Sequence, residues 1–556
     1  MFYRTKTVAT TLLMASLLSA CNDSSSDTTE TTKPTFEPVE GTISELHAAL
    51  AAGTTTCEQV VQSYIDRINA YDATGPALHS VIAVNAKALD YARTLDANYA
   101  ASGTMEPLHC VTVLLKDNFD TADMPTTAGG LALQFSQPDD DAFTVARLRS
   151  QGAVILGKAN LDEFAFGYQG SSSVGGQVKN AYDPTKGPGG SSAGTGAAIA
   201  ASFAMVGLGT DTGGSIRVPS SLEGLVGIRP SLRLISQDGI VPLAHTQDTA
   251  GPMCRTVEDC ARVLDAMVGY DPDDDSGQRS SYEHNASLVS SAYAYQQTTS
   301  VPATYTAALQ ADGLKGARIG VVRAMFGDAS TEENQQVQAV IDAALAKMKA
   351  AGAIVEDVEI PNLALIMSRY KSVSRYEFCN NLDEYLSSWS NAEDNHYTSF
   401  QALAASLQYE TRNQSTFTFY GSYCGDQSAN VDYQLNLIER PIVVRAALQQ
   451  TLENLDSNGI PLGAPYDAIL YPSILGLAPE LGQPPTAGTN NRLSPFSGFP
   501  ALTLPAGMAS TTPALPVGME LMAREFAEPT LIKLAYGYQQ AVHPRQAPLT
   551  TPALTH

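Results

Sequence analysis

The chain has 556 residues, of which 44% are hydrophobic and 16% charged, and its formal net charge is −24. This composition excludes global disorder, because it supplies enough apolar side chain for a large core. The excess of acidic residues and the lack of any basic run exclude nucleic acid as an expected partner.

The first 21 residues, MFYRTKTVATTLLMASLLSAC, have the pattern of an export signal. A short basic region precedes an apolar run that is too short to span a membrane. The end of the run, LSAC, resembles a bacterial lipobox, in which the cysteine is lipidated; the alternative is a plain secretory signal that ends in small residues. We predict a lipoprotein signal peptide over residues 1–20, lipidation at Cys21 and a disordered tether over residues 21–38. The protein would then lie on the periplasmic side of a membrane and touch it only through this lipid.

The rest of the chain, residues 39–556, is predicted to form a single domain in which helices and strands alternate. Apolar residues recur at helical spacing between Ile43 and Ala101. The run CVTVLLKDN predicts a strand that leads into Lys116, and FTVARLRSQGAVILGKAN predicts a helix followed by a strand over Ala153–Leu156. This alternation favours an α/β sheet with both faces covered.

Residues 193–209, AGTGAAIAASFAMVGLG, are small or apolar throughout. The run is short and lies between two polar loops, so it predicts a buried helix and a short strand rather than a membrane span. Residues 271–310 are polar and irregular, and residues 335–460 are predicted to be mostly helical. YDAILYPS and FPALTLPAG predict strands, and a final helix is predicted over Glu528–Val542.

Three polar segments could share one chemistry. Lys116 ends an apolar strand, GPGGSSAGTG contains Ser191, and GTDTGGSIR contains Ser215. A lysine buried at a strand end loses its charge readily and can then act as a base. A serine needs such a base to become a nucleophile, and a second serine can relay the proton.

Each of these segments also has an ordinary interpretation. A lone lysine at a strand end usually extends to solvent, and a lone Gly/Ser loop is usually a turn. A Ser-His-Asp triad with His109 or His245 is an alternative, but the chain has no G-x-S-x-G elbow. Such a triad would also leave the GPGGSSAGTG loop unexplained.

A longer stretch, GGSSAGTGAAIAASFAMVGLGTDTGGSIRVPSSLEGLVGIRPS, resembles the signature of the amidase signature family, which are serine hydrolases with a Ser–cis-Ser–Lys triad. The resemblance extends upstream to VLLKDNFDTADMPTTAGG and downstream to SPFSGFPALTLPAG and LPVGMELMAREFAEPTLIKLAYGYQQ. It covers most of residues 43–545 and is weak in about 272–310 and 375–440, where substrate selectivity is expected. It implies an amidase-signature fold, with a large mixed central β-sheet covered by helices on both faces.

The resemblance also implies roles for individual residues. Ser215 matches the nucleophile, Ser191 the cis-serine and Lys116 the base. Asp211 and Arg217 match positions that support the Ser215 loop. The backbone N–H groups expected to bind the oxyanion are those of Thr212, Gly213, Gly214 and Ser215.

Two further groups of residues carry weaker expectations. Ser171, Ser172 and Ser173 in GSSSVGG either line the substrate pocket or form a plain polar loop. Six cysteines follow Cys21, and Cys379 and Cys424 are predicted to pair, because both lie in the region that departs most from the family. The alternative is two unrelated buried thiols.

We therefore predict an exported, lipid-anchored amidase that hydrolyses the C–N bond of a linear carboxamide through a Ser215 acyl-enzyme. The resemblance implies no metal or organic cofactor, and the expected partner is a small-molecule amide substrate. One alternative is the amidase subunit of the tRNA-dependent amidotransferase, and another is a non-catalytic tethered binding protein of the same fold. The substrate and the oligomeric state stay open.

Overall fold

Helices and strands alternate along the chain, and the computed structural model describes residues 35–274, 291–388 and 397–555. The predicted signal peptide, Cys21 and most of the tether lie outside the described residues, as do parts of both predicted variable regions. The first helices are α1 (Ile43–Ala52), α2 (Cys57–Tyr71), α3 (Ala88–Ser102), α4 (Phe143–Ser150), α5 (Ala193–Ala200), α6 (Arg217–Leu222), α7 (Val257–Met267), α8 (Ala292–Thr299) and α9 (Glu332–Ala350). The later ones are α10 (Leu363–Arg369), α11 (Ser374–Ser388), α12 (Phe400–Ala405), α13 (Gln414–Gly421), α14 (Val431–Gln434), α15 (Arg440–Leu452), α16 (Leu493–Ser497) and α17 (Glu528–Val542).

One mixed sheet organises the described part of the chain. Its strands are β1 (Val81–Val84), β2 (Thr112–Lys116), β3 (Val154–Ala159), β6 (Val206–Thr210), β7 (Val226–Arg229), β8 (Ala250–Cys254), β9 (Arg318–Val321), β10 (Ile354–Asp357), β11 (Ala468–Pro472), β12 (Ala501–Met508) and β13 (Pro516–Met522); β4 (Ser171–Ser172) and β5 (Gly176–Gln177) form a separate hairpin. The 11 strands follow the order β1-β3-β2-β6-β8-β7-β12-β13-β11-β9-β10. β2 is parallel to β3 and β6, whereas β6 and β8 are antiparallel.

Both faces of this sheet are covered. Successive side chains of a strand point to opposite faces, and every residue of β2, β3, β6, β11 and β13 is buried. Such strands need a protein layer on each side. The predicted fold class, a large mixed sheet with helices on both faces, is confirmed.

The sequence interpretation missed the two edge strands. β1 lies inside the stretch predicted to be helical before Ala101, and β10 lies inside the helical stretch over 335–460. They are the first and last strands of the sheet, and each has four partly buried or exposed residues. A strand this short, with one unpaired edge, carries little of the apolar alternation by which strands are recognised.

Other predicted elements are confirmed. Residues 193–209 form α5 and then β6, and α17 spans the predicted Glu528–Val542. Within the described residues, no helix combines the length and the apolar character that crossing a membrane requires. The assignment of residues 39–556 to a single domain stays a prediction.

Arg67 of α2 holds the end of the chain. Its side chain is 2% exposed, and its guanidinium donates to the carbonyl oxygens of Ala201 and Ser202 and of Thr551 and Pro552, at 2.8–2.9 Å. A buried guanidinium is tolerated only when its N–H groups are satisfied in this way. The C-terminal segment therefore closes over α2.

Three disulfides cross-link the described residues. The predicted Cys379–Cys424 bond is confirmed, with a Cα–Cα distance of 5.2 Å. The other two bonds, Cys57–Cys110 and Cys254–Cys260, were not predicted, because connectivity cannot be read from spacing alone.

Candidate active site

Lys116 ends β2 inside the protein and contacts two hydroxyl groups. Its Nζ donates to Ser191 Oγ at 2.7 Å and to Thr210 Oγ1 at 2.7 Å. Thr210 ends the neighbouring parallel strand β6, so both side chains emerge at the same edge of the sheet. Asn118 Nδ2 donates to Thr210 Oγ1 at 3.1 Å and completes this group.

The environment of Lys116 disfavours its charged form. The side chain is 0% exposed, and this burial lowers the pKa of Lys116 to about 7, although Asp162, Asp248 and Asp211 act in the opposite direction. A large fraction of Lys116 is therefore a neutral amine near neutral pH, and a neutral amine can accept a proton from Ser191.

Ser191 lies in the glycine loop that precedes α5, and it is fully buried. The Gly190–Ser191 peptide bond is cis. The Ser191 carbonyl accepts the Asp162 N–H at 3.0 Å, and the next residue, Ser192, donates its N–H to the Ser215 carbonyl at 3.1 Å. The second hydrogen bond joins the glycine loop that carries Ser191 to the loop that carries Ser215, and the first ties the glycine loop to Asp162.

The Ser215 loop, residues 211–215, connects β6 to α6, and every carbonyl in it accepts a hydrogen bond. The partners, in chain order, are Arg229, Gln247 Nε2, Tyr168 OH, the Val218 N–H and the Ser192 N–H. Because a trans peptide is planar, a fixed carbonyl also fixes the N–H that follows it. The backbone of this loop is therefore held in one orientation.

Three N–H groups of this loop have no hydrogen-bond partner within the described residues, namely those of Thr212, Gly213 and Ser215. They are available to bind a negatively charged oxygen. The fourth predicted donor is different, because the Gly214 N–H donates to Asp211 Oδ1 at 2.7 Å. The prediction of four convergent donors is therefore wrong for Gly214, whose amide supports the loop instead.

Asp211 is the centre of a buried ion-pair network beneath the loop. Its carboxylate accepts Arg217 Nε at 2.9 Å and lies 3.4 Å from Arg229 Nη1, and Arg217 Nη1 also contacts Glu520 Oε1 at 2.6 Å. Burial alone would raise the pKa of Asp211, but the two guanidinium groups outweigh this effect and hold it at about 2. The carboxylate is thus charged at all ordinary pH values and holds the Gly214 amide.

A pocket opens next to these groups. Thr210 and Thr212 border it together with Asn118 and Asp248, and its apolar wall consists of Ile240, Val241, Pro242 and Leu243. Its lining combines an apolar wall with a few polar groups, as in small-molecule sites, but its free volume of about 10 Å³ is much smaller than theirs.

Comparison with known proteins identifies the family. A family model described as Amidase matches residues 59–532. The chain belongs to the amidase family.

Three similar proteins illustrate the range of this family. The chain is 33% identical, over 516 residues, to a glutamyl-tRNA(Gln) amidotransferase subunit from Moorella thermoacetica, with 90% of this chain and 96% of the relative covered. It is also similar to the crystal structure of the native peptide amidase from Stenotrophomonas maltophilia, with a TM-score of 0.76, 32% identity and coverage of 92% and 99% of the two chains. An amidase family protein from Bacillus anthracis gives a TM-score of 0.74 at 29% identity, with 92% of each chain covered.

The three serines at 171–173 of this family member form hydrogen bonds with other protein groups. Ser171 Oγ donates to Glu410 Oε1 at 2.6 Å, Ser172 Oγ donates to Asn160 Oδ1 at 2.7 Å, and Ser173 Oγ donates to Glu163. Ser171 also borders a small polar pocket beside Asp162. Whether any of these serines contacts substrate stays a prediction.

The predicted variable region 375–440 packs against the segment that follows Asp162. Phe166 stacks on Tyr420, with ring centroids 4.9 Å apart, and meets Phe378 and Phe417 edge-on at 4.8 and 5.4 Å. This predicted variable region therefore lies close to the Ser191 loop.

Among the described residues, Lys116 rather than a histidine contacts the Ser191 hydroxyl. His245 Nδ1 pairs with the Gln237 side chain at 3.0 Å, and burial lowers the pKa of His245 to about 4. The Ser-His-Asp alternative therefore has less geometric support than the lysine arrangement.

Sequence reasoning missed several residues of this site. Asn118 lies two positions after Lys116, so the motif itself could have indicated it. Tyr168, Gln247 and Glu520 reach the site from distant segments, and no local pattern marks them.

Proposed function

We propose that the protein is an exported, lipid-anchored hydrolase that cleaves the C–N bond of a linear carboxamide. One observation carries the proposed reaction: the buried Lys116 Nζ lies 2.7 Å from Ser191 Oγ, beside a loop with three unpaired N–H groups among the described residues. This arrangement supplies a base, a proton relay and an anion site next to Ser215.

The proposed cycle has two halves. Neutral Lys116 takes a proton from Ser191, which takes one from Ser215, and the Ser215 oxygen attacks the amide carbonyl. The N–H groups of Thr212, Gly213 and Ser215 bind the resulting oxyanion. When the C–N bond breaks, the proton returns through Ser191 to the leaving amine, and the acyl group stays on Ser215. Water, deprotonated by the same relay, then attacks the ester, releases the carboxylate and restores the Ser215 hydroxyl.

Export has two independent lines of support, and the first of them also supports lipid anchoring. The sequence MFYRTKTVATTLLMASLLSAC has a basic region, an apolar run and a cysteine in the lipobox position. The three disulfides are typical of a protein from an oxidising compartment rather than the cytosol.

An amidotransferase component is the second candidate function. It is favoured by the 33% identity to the Moorella thermoacetica protein. Against it stand the disulfides and the similar identity, 32%, to a peptide amidase that the chain covers almost completely. The name of that enzyme makes peptide amides the first substrates to test.

The decisive experiment measures ammonia release by the purified mature chain alone, with peptide, aryl and aliphatic amides as substrates. Hydrolysis without any partner protein supports the proposed function, and the Lys116→Ala variant is expected to lose at least about a hundredfold in rate. Lys186→Ala, which removes a surface ion pair with Glu480, is the matched control and should keep full activity. Ammonia release only in the presence of amidotransferase partners would favour the second candidate, and no reaction at Ser215 would favour a binding protein.

A further inference from the structure

Gln247 is a fully buried side chain that joins the Ser215 loop to the segment before α11. Its Nε2 donates to the Thr212 carbonyl at 3.0 Å and to Ser372 Oγ at 3.2 Å. Its Oε1 accepts the Val373 N–H at 3.0 Å and Arg440 Nη1 at 2.6 Å. Both donors and both acceptor positions of the amide are thus in use, and a flipped amide would place donors against donors, so the orientation is fixed.

The contact with Thr212 acts on one particular peptide group. The Thr212 carbonyl and the Gly213 N–H belong to the same planar trans peptide, so a hydrogen bond that holds the oxygen on one side aims the N–H to the other. The Gly213 N–H is one of the three loop amides without a partner in the described part of the chain. Asp248, the next residue after Gln247, accepts the Thr212 hydroxyl, so two consecutive residues hold Thr212 from two directions.

The other end of the Gln247 amide is held just as firmly. Arg440 Nη1 also donates to the Lys371 carbonyl at 2.7 Å, and its guanidinium lies over the Phe496 ring with 4.7 Å to the centroid. Val373 immediately precedes α11, with which the predicted variable region begins, and Arg440 is both the last residue of that region and the first of α15. The Gln247 side chain therefore links the Ser215 loop to the starts of these two helices.

We propose that Gln247 is a positioning residue, which orients the Gly213 N–H toward the oxyanion and couples that orientation to Val373 and Arg440. The inference rests on the proposed acyl-transfer function, because an oxyanion forms only when Ser215 attacks a carbonyl. Donors of this kind accelerate a reaction only if they are aimed before the charge develops. Gln247 acts through Thr212 and Gly213 rather than on the substrate, so it affects kcat and leaves KM nearly unchanged.

The variant Gln247→Glu tests this role selectively. A carboxylate at this position still accepts from Val373 and Arg440, but it places an oxygen against the Thr212 carbonyl. The Ser372 hydroxyl can turn to donate to this oxygen, so the contact with the loop is the one that becomes repulsive. We expect kcat to fall about tenfold to a hundredfold, with KM changed by less than about twofold. The inflection of the pH–rate profile should stay in place, because Lys116 is untouched. Ser372→Ala is the matched control: it removes the other Nε2 contact and should keep the kcat of the unmodified protein.

Each outcome decides the question. A folded Gln247→Glu variant with unchanged kcat overturns the inference, and so does an equal loss of kcat in Ser372→Ala, which would indicate general loosening. If Gln247→Glu fails to fold, Gln247→Met, which keeps the volume and loses all four hydrogen bonds, should show the same loss; full kcat in that variant overturns the inference. Insensitive Gln247 variants of an active protein leave the proposed function intact. An unmodified chain that hydrolyses no amide overturns the proposed function, and the role of Gln247 falls with it.

Discussion

Lys116 Nζ lies 2.7 Å from Ser191 Oγ, with both side chains fully buried. Within the described residues, Lys116 has two hydroxyl groups as hydrogen-bond partners and no carboxylate. A carboxylate in contact would stabilise the ammonium form, whereas hydroxyl groups accommodate the neutral amine. The hydrogen-bond partners of Lys116 therefore favour a role as a base over a role in a structural ion pair.

The pH dependence of the reaction should report Lys116. Burial lowers its pKa to about 7, and only the neutral amine accepts a proton. The rate is therefore expected to be low in acid, to rise through an inflection near pH 7 and to level off above it. Steady-state kinetics between pH 5 and 9 measure this, with circular dichroism at each pH to show that the protein stays folded. A rate that decreases from neutral to alkaline pH in the folded protein would contradict the role of Lys116.

Replacement of the nucleophile should abolish covalent chemistry. Ser215→Ala removes the attacking oxygen, so no acyl-enzyme forms and a fluorophosphonate probe should fail to label the protein. Mass spectrometry of the labelled, digested chain measures the modified residue. Ser63→Ala, on the partly buried surface of α2, is the control and should be labelled at the normal rate. Labelling of the Ser215→Ala variant would exclude Ser215 as the nucleophile.

Removal of the Asp211 charge should destabilise the protein. Asp211→Asn leaves Arg217 and Arg229 buried without their carboxylate, and such a broken buried pair costs about 3–5 kcal/mol. Glu58→Gln, which breaks an exposed pair with Arg93, is the matched control and should cost about 0–1 kcal/mol. Urea unfolding measures the loss of unfolding free energy in both variants. Equal losses would show that the buried network stabilises the protein no more than an exposed ion pair does.

The same ion-pair network should make the stability of the folded protein decrease in acid. The pKa of Asp211 is about 2 in the folded protein and about 3.9 in an unfolded chain. Because the folded value is the lower one, the stabilisation is fully present above about pH 4 and disappears as the pH falls toward 2. The Asp211→Asn variant should therefore lose less stability than the unmodified protein between pH 4 and pH 2.

The Cys379–Cys424 bond should be reduced before the other two. Cys424 is partly exposed, whereas Cys57, Cys110, Cys254 and Cys260 are each 0% exposed, and a thiolate reductant needs access to a sulfur. Mild reduction followed by alkylation and peptide mapping measures the order. Loss of the bond should reduce stability by about 2–4 kcal/mol. Earlier reduction of either buried bond would contradict the expected order.

The lipid anchor is tested at Cys21. We expect mass spectrometry of membrane-extracted protein to find a lipid-modified N-terminus at this residue. Cys21→Ser should release or mislocalise the protein without loss of amidase activity, since residues 22–38 separate the anchor from the domain. An unmodified soluble form that begins at another residue would refute the prediction.

Residues of the site that lie in local sequence motifs could be predicted, whereas those that reach it from distant segments could not. Lys116, Ser191 and Ser215 lie in motifs with characteristic local spacing, and the structure brings Lys116 into contact with Ser191 and joins the two serine loops. The Gly214 amide was misassigned, because the loop sequence does not show which N–H Asp211 will accept. Gln247 and Glu520 contact the site across large sequence separations, and such contacts follow from the packed fold rather than from any local pattern.

The contact between Arg67 and the segment around Thr551 has a consequence for the order in which the native packing is assembled. Arg67 lies in the second helix, yet Thr551 and Pro552, whose carbonyl groups complete its hydrogen bonding, follow it by 484 and 485 residues. Until those residues are in place, the first helices hold a cation with unsatisfied N–H groups. The packing around Arg67 is therefore complete only after residues 551–552 have joined α2, and their removal should destabilise the helices near Arg67 at the other end of the sequence.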